Sequence, residues 1–150
     1  VAVVMGNSLV IGHIGDSRAY LSAAGELKQL TEDHSLVNEL LRNGTISEEE
    51  ALIHPRRNVL TRAMGTEAEA VPDICRYSLN DGDIVLLCTD GLTSLVGHET
   101  LSEILAADRD VEWKADRLVE CALEAGGDDN VTVVLLAHEA DDREKRGDGQ

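Results

Sequence analysis

Three aspartates stand beside the strongest β-strand patterns of this chain, where carboxylates can gather a cation. Asp16 lies in Gly15-Asp16-Ser17-Arg18, after the apolar run from Leu9 to Ile14. Asp90 lies in Thr89-Asp90-Gly91, after Ile84-Val85-Leu86-Leu87-Cys88. Asp129 lies in Gly127-Asp128-Asp129-Asn130, immediately before the run from Val131 to Ala137. Side chains at the ends of central strands are held rigidly and can converge at a sheet edge. Hard divalent cations such as Mg2+ and Mn2+ take oxygen ligands of this kind and usually keep several waters. A water on such an ion becomes a usable nucleophile near neutral pH. Each aspartate also has a plain structural reading. Asp90-Gly91 is a common turn pair, Asp16 could cap a turn or pair with Arg18, and Asp128-Asp129-Asn130 could be an ordinary loop.

Other chemistries fit the residues less well. Cys75, Cys88 and Cys121 are odd in number and widely spaced, with no CxxC pair, which argues against a zinc site or a disulfide framework. Cys88, inside an apolar run, reads as a buried small hydrophobe, and a reducing cytoplasm suits the set. His34 and His54 invite a general-acid role. His34 reads instead as a helix-start residue bonding locally, and His54, before Pro55, as a turn residue. Arg56, Arg57 and Arg62 either attract a phosphorylated substrate or neutralise part of an acidic body. A haloacid-dehalogenase-type nucleophile at Asp90 would need a second Asp two residues on, where Leu92 stands. A calcium loop from Asp128 would place Glu139 in its twelfth position, but Val133 occupies the position that needs Gly.

The elements that must carry these residues follow from pattern. Val1 to Val4, Leu9 to Ile14, Ser17 to Leu21 and Leu27 to Leu30 read as four short strands joined by tight turns, an antiparallel meander. Leu36, Val37, Leu40 and Leu41 have helical spacing after Ser35, and Gly44 stops that helix. Ser47-Glu48-Glu49-Glu50 is a capping box for a short helix through Ile53, ended by His54-Pro55. Strand patterns return at Val59 to Ala63, Ile74 to Leu79 and Ile84 to Cys88. The last of these is continuous enough to be buried on both faces. Leu101, Ile104 and Leu105 mark one helix. Ala115, Leu118, Val119 and Ala122 mark a second, stopped by Gly126-Gly127, and Val131 to Ala137 reads as a final buried strand.

Composition bounds the rest. The 150 residues suffice for one domain with a core. With 2% aromatic residues and no Phe, that core must be built by aliphatic side chains. The net charge is -16, and the stretch 139–150, with five acids and three bases, supplies only -2 of it. A body this acidic repels nucleic acid and anionic lipid surfaces, so neither is expected as a partner. There is no apolar run of membrane-spanning length. The stretch 139–150 reads as a charged, disordered tail.

Five segments in order carry a resemblance. Gly15-Asp16-Ser17-Arg18-Ala19-Tyr20 and Leu30-Thr31-Glu32-Asp33-His34-Ser35 are the first two, and the third runs from His54 through Arg62 to Gly65. Asp83-Ile84-Val85-Leu86-Leu87-Cys88-Thr89-Asp90-Gly91-Leu92 and Gly127-Asp128-Asp129-Asn130-Val131-Thr132-Val133-Val134 complete the series. Over Val1 to about Ala137 the chain resembles the C-terminal part of a bacterial PPM-type (type-2C) metal-dependent protein serine/threonine phosphatase. The resemblance implies an α/β (α+β) fold, a sandwich of two antiparallel β-sheets flanked by helices. It implies that residues 1–138 form the C-terminal part of that domain, with a flap at about 33–58. It implies two central Mn2+ or Mg2+ ions held through Asp90 and Asp129, and a third, weaker ion at Asp16 together with Asp90. The reaction implied is attack of a metal-activated water on phosphoserine or phosphothreonine esters in proteins, with no covalent phosphoenzyme.

One departure qualifies this. The family's bridging aspartate, in an Asp-Gly-x-Gly-Gly-type segment, and its phosphate-binding arginine both precede the strand at which this chain begins. The expectation is therefore an excerpt of a longer, active protein, with the 150 residues alone inactive and an open sheet edge at Val1. The alternative is a non-catalytic PPM-like binding or regulatory module, although such a module has no need of three metal carboxylates. The remaining expectations are a cytoplasmic monomer in signalling, acting on substrates of a bacterial Ser/Thr kinase.

Overall fold

The computed structural model describes residues 1–66 and 69–140. Two antiparallel sheets pack face to face. The first contains β1 (Ala2–Met5), β2 (Ser8–His13) and β5 (Asp73–Ser78) in the order β1-β2-β5. The second contains β3 (Arg18–Ala23), β4 (Glu26–Gln29), β6 (Ile84–Cys88) and β7 (Val133–Ala137) in the order β4-β3-β6-β7. The expected two-sheet α+β architecture is present, but the four N-terminal strands are not one meander. They form two hairpins, β1-β2 and β3-β4, in different sheets. β2 pairs onward with β5, and β3 with β6. Residues 14–17 therefore cross from one sheet to the other, and Asp16 is on that crossing.

Strand alternation explains the two cores. Leu9 and Ile11 of β2 meet Ala19 and Val85 between the sheets, with Leu30 and Leu79. On the other side of the second sheet, Tyr20, Ile84, Leu86 and Cys88 pack on Leu92, Leu101, Leu105 and Leu118. These last residues come from α3 (Asp90–Thr93), α4 (His98–Ala106) and α5 (Val111–Glu124). β6 is thus buried on both faces, as its unbroken apolar run requires. Leu86 and Leu118 are wholly inaccessible, so truncating either to Ala costs about 2–5 kcal/mol.

The polar excursion carries α1 (Leu36–Arg42) and α2 (Glu48–Leu52). Ser35 accepts from the Asn38 N–H as the α1 cap, and both bonds of the Ser47–Glu50 capping box are made. Two strand expectations are corrected. Residues 59–63 make a single antiparallel bridge, Ser35 to Leu60, rather than a strand. Val59 and Leu60 find no sheet neighbour and stay exposed. β7 starts only at Val133 and is an edge strand, with Val134 and Leu136 exposed rather than buried. β1 is an edge of the first sheet, and Val1, Val3 and Met5 face solvent there. Of the expected tail, residues 141–150 lie outside the described residues. Among the described residues no helix is long and apolar enough to cross a membrane.

Candidate metal centre

Asp16 is positioned by the crossing between the sheets. Gly15 has φ +107, a backbone conformation that side chains beyond hydrogen rarely adopt. Both its polar groups are held by His34: the Gly15 N–H donates to Nδ1 at 3.1 Å, and the Gly15 carbonyl accepts from the His34 N–H at 2.8 Å. The next residue, Asp16, is half-buried. Asp90 is the first residue of α3, directly after the Thr89 cap position. Burial, and then the charge of Asp90, push the Asp16 carboxyl above its ordinary range. The charge of Arg18, the expected alternative partner, offsets this only in part. Arg18 is committed to Asp33, with Nη2 to Oδ2 at 2.8 Å and Nε to Oδ1 at 3.0 Å, and its Nη1 donates to the Tyr20 hydroxyl. Asp16 and Asp90 are therefore two like charges in one site whose repulsion a cation would relieve. The donors are all carboxylate oxygen, which fits a hard divalent ion.

The third aspartate is brought near in backbone rather than in side chain. Thr89 ties the Asp90 segment to the Asp129 loop three times. Its N–H donates to the Thr132 carbonyl at 3.1 Å, its hydroxyl donates to the Asn130 carbonyl at 3.0 Å, and the same oxygen accepts from the Thr132 N–H at 3.0 Å. Gly91 makes the approach possible: a Cβ there would lie 2.4 Å from the Asn130 carbonyl oxygen. Asp129 itself is exposed, and its Oδ1 accepts from the Asn130 N–H at 2.7 Å. Among the described residues no three His, Cys, Asp or Glu side chains converge as a closed ligand cluster. The structure thus joins Asp16 and Asp90 electrostatically and docks the Asp129 loop beside them, with its carboxylate turned to its own backbone.

The other sequence candidates sort by contact. His54 is a turn residue as expected, its Nδ1 accepting from the Arg56 N–H. His34 is not a locally bonded helix-start residue: it is buried, and its side-chain bonds reach Gly15 and Asp73 across the fold. Arg62 pairs with Asp73, whereas Arg56 and Arg57 are exposed and make no ion pair among the described residues. Cys88 is buried and its thiol is pushed up to about 11, so it stays protonated and is no nucleophile. A cleft of about 200 Å³ opens between the sheets beside the crossing, lined by Val1, Ile11, His13, Cys88 and Val134. Its wall is mostly apolar and carries none of the three aspartates. Thr89, Gly91 and Asp73 are the contributors that sequence reasoning missed. Only the Asp90-Gly91 pair offered a signal, and it was one that also fits a turn.

The two antiparallel sheets with flanking helices define the fold class, and comparison supplies the family. Residues 1–125 match the family model described as protein phosphatase 2C. The serine/threonine phosphatase stp of Listeria monocytogenes is 47% identical over 137 residues, covering 91% of this chain and 54% of that protein. The solved serine/threonine phosphatase PstP/Ppp of Mycobacterium tuberculosis superposes with a TM-score of 0.85 at 42% identity, covering 93% of this chain and 58% of that one. A catalytic domain of PstP in complex with two manganese ions superposes at 0.81 with 41% identity, covering 93% of this chain and 57% of that one. The chain belongs to the protein phosphatase 2C family. It spans about half the length of the curated relatives it matches.

Proposed function

We propose that this chain forms the C-terminal part of a catalytic domain that hydrolyses phosphoserine and phosphothreonine esters in proteins, with Mn2+ or Mg2+. The observation that carries this reading is the half-buried Asp16 carboxylate on the sheet crossing, held above its ordinary range by burial and then by the charge of Asp90. Asp90 and Asp129 hold the central ions and Asp16, with Asp90, a weaker third. When bound, the ions supply Lewis-acid neutralisation of the phosphate and a water acidified for attack. The chain's own residues do the placing. β6 and Thr89 fix Asp90, the 14–17 crossing fixes Asp16, and the Gly91–Asn130 contact fixes the loop that bears Asp129. The buried Cys88 thiol offers no covalent alternative, which favours direct attack by water.

The relatives named as serine/threonine phosphatases support the substrate class, and the manganese complex of PstP supports the metal. The flap at about 33–58 handles substrate, and the protein works as a cytoplasmic monomer opposite a bacterial Ser/Thr kinase. The 150 residues alone are inactive, because the resemblance places a bridging aspartate and a phosphate-binding arginine on a preceding segment. The test is phosphopeptide turnover by a complete catalytic domain containing this chain, with Mn2+ and with EDTA. Activity is expected only with metal, and full activity in chelator overturns the reading.

A further inference from the structure

Behind the Gly15–Asp16 turn lies a group of charged and polar side chains for which the proposed chemistry has no use. His34 is 4% exposed. Its Nδ1 accepts from the Gly15 N–H, and a backbone N–H can only donate, so Nδ1 must carry the lone pair. A neutral ring then bears its proton on Nε2, which faces Asp73 Oδ2 at 2.9 Å and donates to it. Asp73 in turn takes two bonds from Arg62, Nη1 to Oδ1 at 2.9 Å and Nη2 to Oδ2 at 3.1 Å. Arg62 Nη2 also lies against His34 Nε2, but two N–H donors cannot bond each other, so Arg62 reaches the ring only through Asp73. The His13 ring covers the His34 ring at 4.8 Å between centroids, and His13 Nε2 is fixed on the Glu32 carbonyl at 3.1 Å. No buried side-chain polar atom among the described residues lacks a partner. The Gly15 bond thus places the ring proton on Nε2, where Asp73 accepts it.

The same group closes the base of the polar excursion. Leu36 donates to the Val59 carbonyl and Thr61 to the His34 carbonyl, at 2.9 and 2.8 Å, so the two ends of residues 36–59 are zipped beside Arg62. One continuous set of bonds thus runs from the excursion's base, through Arg62, Asp73 and His34, to the backbone of the residue before Asp16.

We infer that His34, Asp73 and Arg62 are positioning residues that set the Gly15–Asp16 crossing, and with it the Asp16 carboxylate, from the base of the excursion. The inference rests on the reading of Asp16 as a cation ligand. Asp73 and Arg62 act only through His34: Asp73 selects the tautomer that leaves Nδ1 free, and Arg62 holds Asp73. Without the relay, Gly15 is a glycine at φ +107 with a loose N–H. A ligand misplaced by about 1 Å can cost about a hundredfold in rate. The link also connects the excursion to the cation, so movement at Arg62 changes the affinity at Asp16.

The test uses a complete catalytic domain containing this chain and needs no turnover. Asp73 and Arg62 side chains are 42% and 43% exposed, so Asp73→Ala and Arg62→Gln leave the core intact. Three readouts are taken: the His34 tautomer from long-range nitrogen–proton NMR spectra, hydrogen exchange of the Gly15 amide, and Mn2+ affinity by calorimetry. Asp73→Ala is expected to mix the His34 tautomers, speed Gly15 exchange and weaken Mn2+ binding by about fivefold or more. Leu86 and Leu118 amides should remain protected. In His34→Asn the amide oxygen stands where Nδ1 stood and can still accept from Gly15. That variant is expected to retain Gly15 protection and Mn2+ binding, and adding Asp73→Ala to it should change neither. Unchanged Gly15 exchange in Asp73→Ala overturns the relay, and so does an equal Asp73→Ala effect in the His34→Asn background. A wild-type catalytic domain that takes up no Mn2+ removes the cation reading on which the inference rests, whereas failure of the relay alone leaves Mn2+ binding in place.

Discussion

Replacing Gly91 with Ala puts one methyl group between the two loops of the candidate centre. The added Cβ would lie 2.4 Å from the Asn130 oxygen, 3.0 Å from the Asn130 carbon and 3.5 Å from the Val131 nitrogen. A carbon next to a carbonyl oxygen needs about 3.3 Å, so helix and loop must separate by about 1 Å. All the clashing atoms are backbone, and no side-chain rotation can absorb the shift. The residue is helical with no positive φ, so the clash is the whole effect and a backbone-entropy gain from Ala only partly offsets it. Overpacking of this kind costs about 1–3 kcal/mol. The separation falls directly on the Thr89 hydroxyl bonds to Asn130 and Thr132 and moves Asp129 relative to Asp90. Urea denaturation of the chain should show the midpoint falling with an unchanged slope. In a complete catalytic domain, phosphopeptide turnover should fall about a hundredfold for a ~1 Å misplacement. Wild-type stability and wild-type turnover in Gly91→Ala would refute the claim that this contact sets the spacing of the two aspartates.

Asp16→Asn should stabilise the metal-free chain at neutral pH. Asp16 is held above its ordinary range, so folding disfavours its charge; that penalty grows as pH rises through the folded value and vanishes below the unfolded one. Added Mn2+ should reverse the order, because at about a hundred times its dissociation constant a ligand stabilises by ~2.7 kcal/mol and only the wild type has the carboxylate; thermal melts with and without metal decide it. Thr89→Val removes one donor and one acceptor between two backbone segments, and should lower stability by about 1–3 kcal/mol in urea. Asp73 has the opposite sign to Asp16: Arg62, then His34, lower it from 3.8 to about 2. Its stabilisation is present above about pH 4 and lost as pH falls through about 2; at a site this exposed, screening limits it to about 1 kcal/mol. Asp73→Asn should flatten that part of the stability–pH curve, and an unchanged slope would count against the pairing.

Legibility in the sequence followed the range of the interactions. The Ser47–Glu50 capping box, α5 and the doubly buried β6 rest on neighbours within a few residues or on one element's period, and all were readable. The split of the N-terminal strands between two sheets was not. A hairpin and a sheet crossing present the same short apolar runs, and only the pairings of β2 with β5 and β3 with β6 separate them. The edge position of β7 was missed for the same reason: Val133-Val134-Leu135-Leu136 reads as buried whichever neighbours are present. The three aspartates were readable and the resemblance grouped Asp16 with Asp90, but the long-range partners of the residues around them were not. Arg18 binds Asp33, fifteen residues away, rather than Asp16. His34 reaches Asp73 across thirty-nine residues. No local pattern encodes either choice.

The departures from local preference are concentrated rather than scattered. Gly15 takes a φ that favours glycine, Asp16 is half-buried near a like charge, and Gly91 leaves no room for a methyl group. Each restricts the residue allowed, and they lie on the crossing between the sheets and at the contact of α3 with the 127–130 loop. A fold under selection for stability alone could relieve each with a one-residue change: Asp16 to an amide, the crossing to a longer turn, the 127–130 loop drawn back from α3. Strain of this kind persists where surrounding structure over-determines it, and here the surroundings are themselves specific: a histidine fixed in one tautomer holds Gly15, and a threonine hydroxyl bonded twice holds the loop. The cation proposed above would give the three a joint reason. It converts the Asp16–Asp90 repulsion into attraction, and it makes the close approach at Gly91 a way of shortening the distance between ligands.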